Sequence, residues 1–247
     1  ADIVMEHHDF SYYQLLIIPE CKFLSEQTMK KILEFEKDGG SVLIIGAKAS
    51  KLFGDWLGVR KYTLLAEQKI WIEENARLGG LSSELFASEG EVLSAGGRIY
   101  ERNDVTETYR PAFYTHNRYC LIPFDFGESY RRKGNCVMRD FLGRRIKDLL
   151  GTPRILVCGS RHVDVTLSRC DGGLYLHLVN TWGAQPGMMV FDEIPEIHEL
   201  EVSLKLGKIR RIIALPENKE IVLNQRAGRV VFKVEKLWIH MAFRLEM

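Results

Sequence analysis

Leu15 to Gly46 reads LLIIPECKFLSEQTMKKILEFEKDGGSVLIIG. Two largely apolar runs, Tyr13 to Ile18 and Ser41 to Ile45, bracket a segment of helical period. Runs without polar alternation are what a parallel strand covered on both faces requires. Between them Ser25 predicts a helix N-cap with Glu26 in the first turn, Met29, Ile32, Leu33 and Glu36 share one stripe, and Gly39-Gly40 supplies the stop. A strand, helix, strand unit of this kind is right-handed and sets its two strands side by side. The stretch therefore predicts an α/β domain on an open, mostly parallel sheet.

Outward from this unit the pattern is less regular. Asp2 to Met5 predicts a short strand before it. Between residues 47 and 110, Gly54, Gly58, Gly79-Gly80 and Gly96-Gly97 read as turns between short runs such as Lys69 to Glu73 and Glu91 to Ser94, hence as insertions and edge strands. Arg118 to Phe126 predicts a further strand. Asn135 to Leu150 predicts a closing helix with Val137, Met138, Phe141, Leu142, Ile146, Leu149 and Leu150 on its apolar face. Gly151-Thr152-Pro153 marks a boundary, giving domains at 1–151 and 152–247. Beyond it the period changes to two: Val163, Val165 and Leu167 alternate with polar residues, Asp171-Gly172-Gly173 predicts a tight hairpin, and Leu174, Leu176 and Leu178 line one face of the returning strand. Some seven short strands without a helix predict an all-β, immunoglobulin-like sandwich.

Composition excludes several function classes. The 247 residues carry 34 basic and 33 acidic side chains, net charge +1, so nothing marks a nucleic acid as partner. No apolar run is long enough to span a membrane. Cys21, Cys120, Cys136, Cys158 and Cys170 lack CxxC or zinc-site spacing and read as reduced, cytoplasmic thiols. No cofactor or metal is expected. The opening ADIVMEHHDF, without an initiator Met, reads as the start of a fragment.

In open α/β sheets ligands sit at the carboxyl ends of the strands. The groups expected there are His7 and His8, Glu20 and Cys21, Gly46-Ala47-Lys48, and Asp125 with Glu128. A Cys21–imidazole pair would make a thiol hydrolase. A nucleophile elbow, however, needs small neighbours, and Cys21 sits among Pro19, Glu20, Lys22 and Phe23. The elbow-like strand end is Ile45-Gly46-Ala47-Lys48-Ala49, which holds no thiol or hydroxyl. Asp125 and Glu128 could act as an acid–base pair, though their spacing alone is a weak signal. Trp56 and Trp182 could stack on sugar rings or plug a hydrophobic gap. His177, on the opposite strand face from Leu176 and Leu178, reads as a half-exposed structural histidine.

YQLLIIPECKFLSEQTMKKILEFEKDGGSVLIIG resembles the middle of a class I glutamine amidotransferase-like domain, in the non-catalytic version known as the β-galactosidase trimerisation domain. YCLIPFDFGESY at Tyr119 to Tyr130 resembles its end, and VDVTLSRCDGGLYLHLVN at Val163 to Asn180 is similar to the first hairpin of the β-sandwich that follows such domains in bacterial glycoside hydrolases. The resemblance implies a flavodoxin/amidotransferase-like sheet with the family nucleophile missing, because its place falls on Ala47 or Lys48. It also implies a catalytic barrel elsewhere in the parent chain, a homo-oligomer, and carbohydrate as the substrate class of the whole protein. Leu52, Phe53, Trp56, Phe113 and Tyr114 are the expected oligomer contacts. The reading that follows is a non-catalytic ancillary region of a glycoside hydrolase; the alternatives are an amidotransferase or hydrolase using Cys21, and a carbohydrate-binding module.

Overall fold

A computed structural model describes residues 2–59, 61–88, 94–102, 107–183 and 193–247. Two compact units follow one another along the chain, Ala1–Gly151 and Thr152–Met247.

The first unit runs β1 (Leu15–Ile18), α1 (Glu26–Lys37), β2 (Ser41–Ile45), α2 (Ala47–Phe53), β3 (Tyr62–Glu74), β4 (Arg77–Ser88), β5 (Ser94–Gly96), β6 (Ile99–Arg102), β7 (Glu107–Arg110), β8 (Phe113–His116), β9 (Tyr119–Ile122), α3 (Gly127–Lys133) and α4 (Cys136–Leu150). One sheet has the order β1-β2-β9-β8-β5, and the other β4-β3-β6-β7. Ser25 caps α1 as its sequence predicts, its side chain accepting from Thr28 N–H, and Asn135 caps α4 by accepting from Val137 N–H.

Every residue of β2 is buried because both faces of its sheet are covered. On one side Val42 and Ile44 pack with Met29, Ile32 and Phe35 of α1 and with Phe53 of α2. On the other, Leu43 and Ile45 meet Ile70 and Ile72 of β3, Leu81 and Leu85 of β4, and Met138 and Phe141 of α4. The second sheet thus acts as a lid over the first, a place that a helix fills in ordinary parallel α/β domains.

The second unit runs β10 (Ile155–Cys158), β11 (Val163–Cys170), β12 (Gly173–Asn180), β13 (Ile197–Leu204), β14 (Arg211–Leu215), β15 (Lys219–Glu220), β16 (Asn224–Arg226), β17 (Arg229–Leu237) and β18 (His240–Glu246). Its sheets, β10-β13-β17-β16 and β11-β12-β18-β14-β15, share one core in which Leu176, Leu178, Leu200, Val202, Phe232 and Phe243 are fully buried.

This architecture corrects the expected open parallel sheet followed by an immunoglobulin-like sandwich. Among the described residues strand far outweighs helix, in four sheets rich in antiparallel pairs. Among the described residues only β1–β2 and β2–β9 pair in parallel. The misreading has a local cause. The turn between β3 and β4 is Asn75-Ala76, both at positive φ (51° and 58°), and it contains no glycine. Gly79 and Gly80, which read as a turn, lie inside β4. An added Cβ at Gly79 would stand 3.0 Å from Val137 Cβ of α4, and one at Gly80 would stand 2.9 Å from the Trp71 ring. These glycines answer to packing, not to chain reversal. No strand forms at Asp2 to Met5, and residues 91–93 of the run Glu91 to Ser94 lie outside the described residues.

Candidate functional site

The parallel strands β1, β2 and β9 deliver Glu20, Gly46-Ala47-Lys48 and Asp125 to one edge of their sheet. Glu20 Oε1 accepts from the backbone N–H groups of both Phe126 and Gly127. Asp125 Oδ1 accepts from Ala47 N–H at 3.1 Å, and Asp125 N–H donates to Ser83 Oγ at 2.8 Å. Lys48 Nζ pairs with Glu84 Oε2 at 2.9 Å. Gly46, at φ 113°, lies so close that an added Cβ would meet Asp125 Oδ1 at 2.8 Å and Glu20 Cα at 3.0 Å. Only glycine tolerates both that approach and that φ. Burial pushes the Asp125 carboxyl above its ordinary range; the bond from Ala47 N–H and the charge of Lys48 oppose this, and the neighbouring carboxylates Glu20 and Glu84 add to it.

Chemically this arrangement is a clasp. Two carboxylates spend acceptor capacity on main-chain N–H groups at the starts of α2 and α3, tying together the segments that follow β1, β2 and β9. The residue at the elbow, Ala47, is fully buried and has no reactive atom.

The remaining candidates do not join this cluster. Cys21 is half-buried against the core around α1, and burial pushes its thiol up, the wrong direction for a thiolate nucleophile. His7 and His8 are exposed and stack on each other with ring centroids 4.5 Å apart, and His8 Nδ1 accepts from Met5 N–H. Among the described residues no hydrogen bond joins either imidazole to Cys21. His8 lines a cavity of about 600 Å³ together with Gln14, Gly40 and Arg118, the residues that precede β1, β2 and β9. That places it toward the amino ends of the parallel strands. Glu128 belongs to α3, but its side chain lies outside the described residues.

Trp56 is 37% exposed and meets Phe53 edge-on; Trp182 is 47% exposed and meets His162 edge-on at 4.3 Å. Neither is a coplanar pair. The expected contact patch needs correction, because Phe53 and Tyr114 belong to the core and cannot face a partner. All five cysteines are free. No group of three or more metal-binding side chains exists among the described residues, nor a helix long and apolar enough to cross a membrane.

Two polar residues that sequence reasoning passed over organise the loops. Glu84 of β4 brings its charge to the clasp through its ion pair with Lys48, a contact between α2 and β4 that the sequence does not announce. Buried Asn180 at the end of β12 donates to Pro195 O and Trp238 O and accepts from Trp182 N–H, joining three loops with one amide. Its signal was visible as an Asn ending an alternating strand.

No family model matches the chain. It is homologous to a part of glycoside hydrolases. β-Galactosidase GalA of Bacillus licheniformis is 22% identical over 199 residues, which cover 73% of this chain and 28% of that protein. Among solved structures, α-L-fucosidase isoenzyme 2 from Paenibacillus thiaminolyticus superposes with a TM-score of 0.82 at 19% identity, over 99% of this chain and 42% of that one. A catalytic variant of Gan42B, a GH42 β-galactosidase from G. stearothermophilus, matches at a TM-score of 0.60 and 16% identity, over 98% of this chain and 33% of that one. The chain thus spans less than half the length of the relatives it resembles.

Proposed function

We propose that this chain is a non-catalytic ancillary region of a glycoside hydrolase, whose work is to hold architecture, make contacts between protomers and shape the rim of an active site carried by a barrel elsewhere in the parent chain. The first unit is, in this reading, the amidotransferase-like trimerisation-type module. One observation carries the proposal. The elbow after β2, where an amidotransferase keeps its nucleophile, holds buried Ala47, and the carboxylates beside it bind backbone N–H groups. The partial coverage of β-galactosidase GalA and of the fucosidase supports a parent chain with a separate catalytic part. Trp56 of the first unit and Trp182 of the second each keep enough exposed ring to meet a sugar.

The 247-residue chain is expected to release no product from nitrophenyl β-galactoside, nitrophenyl α-fucoside or glutamine. A turnover that survives purification and is lost in Cys21→Ala would overturn the reading in favour of a thiol enzyme.

A further inference from the structure

The second unit carries a chain of hydrogen-bonding side chains that the function above does not use. Ser168 Oγ lies 2.9 Å from His177 Nε2, and His177 Nδ1 lies 3.2 Å from His240 Nε2. Cross-strand register explains how they meet. His177 of β12 pairs with Ala242 of β18, and His240 pairs with Val179, so the two imidazoles are diagonal neighbours on one face. Their chain neighbours Leu176, Leu178 and Met241 point the other way, into the core or against it. His240 is exposed and His177 half-buried, with rings nearly parallel at 12°.

The geometry points to a binding site for a divalent transition metal ion, of the zinc or copper type, held by His177 Nδ1 and His240 Nε2 with water completing the shell. At a zinc–imidazole distance of about 2.05 Å, two nitrogens of a tetrahedral shell stand about 3.3 Å apart, so the observed 3.2 Å separation leaves only the direction of the lone pairs to be adjusted. The ligand chemistry is right for these ions, because neutral imidazole prefers them to magnesium or calcium. The third residue fits as well. A metal-bound histidine ordinarily donates its other ring N–H to an acceptor that fixes tautomer and ring orientation, and Ser168 Oγ is placed for that on His177 Nε2. With the His177 proton on Nε2, its Nδ1 lone pair faces His240. His240 then needs only to carry its proton on solvent-facing Nδ1 instead of Nε2, exchanged through water. Two short turns of the rings converge both lone pairs on one ion, and no net proton is released.

The site joins β12 to β18, so a bound ion should also stabilise the unit by mass action. The test uses the full, untagged chain titrated with zinc chloride and, separately, with copper(II) chloride. One ion per chain is expected, with two equatorial nitrogens in the copper spectrum by electron paramagnetic resonance and a rise in melting temperature. His240→Ala, an exposed position whose loss leaves the core intact, should weaken binding at least tenfold. His177→Ala should do the same, and Ser168→Ala should weaken it about tenfold through loss of the orienting acceptor. His7→Ala/His8→Ala, which removes the other stacked pair, should leave affinity unchanged. Failure of the wild-type chain to bind either ion, binding that persists in His240→Ala, or binding abolished by the His7/His8 double variant would each overturn the proposal.

Discussion

The hairpins β3–β4 and β11–β12 turn with the same backbone geometry and are written in different sequences. Asn75-Ala76 and Asp171-Gly172 are both two-residue loops with both residues at positive φ, the type I′ requirement that suits the twist of paired strands. Asp-Gly states the turn openly. Asn-Ala does not, since alanine is seldom found there. The difference teaches where information about a hairpin can reside. In β11–β12 it is local, in the turn and in the alternation of Leu174, Leu176 and Leu178. In β3–β4 it is supplied by the surface the hairpin covers, where Ile70, Ile72, Leu81 and Leu85 close over β2 and α4.

If that contrast is right, the largest effects belong to the cores beneath the two hairpins. Ile72→Ala and Leu176→Ala each remove a fully buried side chain and should cost about 2–5 kcal/mol. Calorimetry should show each variant lowering a different transition, and a single shared transition displaced by both would contradict independent cores. Next comes Gly79→Val. Its Cβ would contact Val137 Cβ at 3.0 Å, and the overpacking should cost about 1–3 kcal/mol by chemical denaturation. An unchanged midpoint would show that α4 does not hold the hairpin down. The turns themselves should respond in opposite directions. Ala76→Gly relieves a positive φ and should stabilise by about 0.5 kcal/mol, whereas Gly172→Ala imposes one and should destabilise by about 1 kcal/mol.

The smallest effect is electrostatic and again opposes the two units. Asp125 has a raised carboxyl pKa, chiefly from burial, so its contribution is most favourable below 3.8 and is lost as pH rises through the folded value. Glu246 is lowered, chiefly by the hydrogen bond from Arg211, so its contribution is present above 4.5 and is lost as pH falls through the folded value. Melting temperature followed against pH should therefore lose its decline above pH 3.8 in Asp125→Asn, and lose part of its acid sensitivity in Glu246→Gln. A profile for Asp125→Asn parallel to the wild type would show that the clasp carries no such penalty.

The sequence made legible the parts whose causes are close together in the chain. Ser25 and the stop at Gly39-Gly40 placed α1 because capping acts within a few residues, and the apolar face from Val137 to Leu150 placed α4 because helical period is a local property. The leucines of β12 placed a core strand because alternation is a local property. The lid sheet was illegible because its strongest apparent punctuation, Gly79-Gly80, records the closeness of Val137 and Trp71, which arrive from elsewhere in the chain. The same limit applies to the clasp. Glu20 and Asp125 stood out as strand-end carboxylates, but their acceptor role depends on Phe126, Gly127 and Ala47 N–H groups that only the parallel pairing of β1, β2 and β9 brings near. The pairing of His177 with His240 was equally out of reach, because the two lie 63 residues apart and meet only through the β12–β18 register.

Gly46 carries a consequence for reversibility. Substituting cysteine for Ala47 would place a thiol there without making it an accessible nucleophile, because that position is sealed from solvent and its N–H is already held by Asp125. Opening it would mean releasing Asp125 and Glu20, the contacts that draw the strand ends together. Single substitutions that open this corner should therefore first weaken the fold, and only several coordinated changes would expose the backbone after β2.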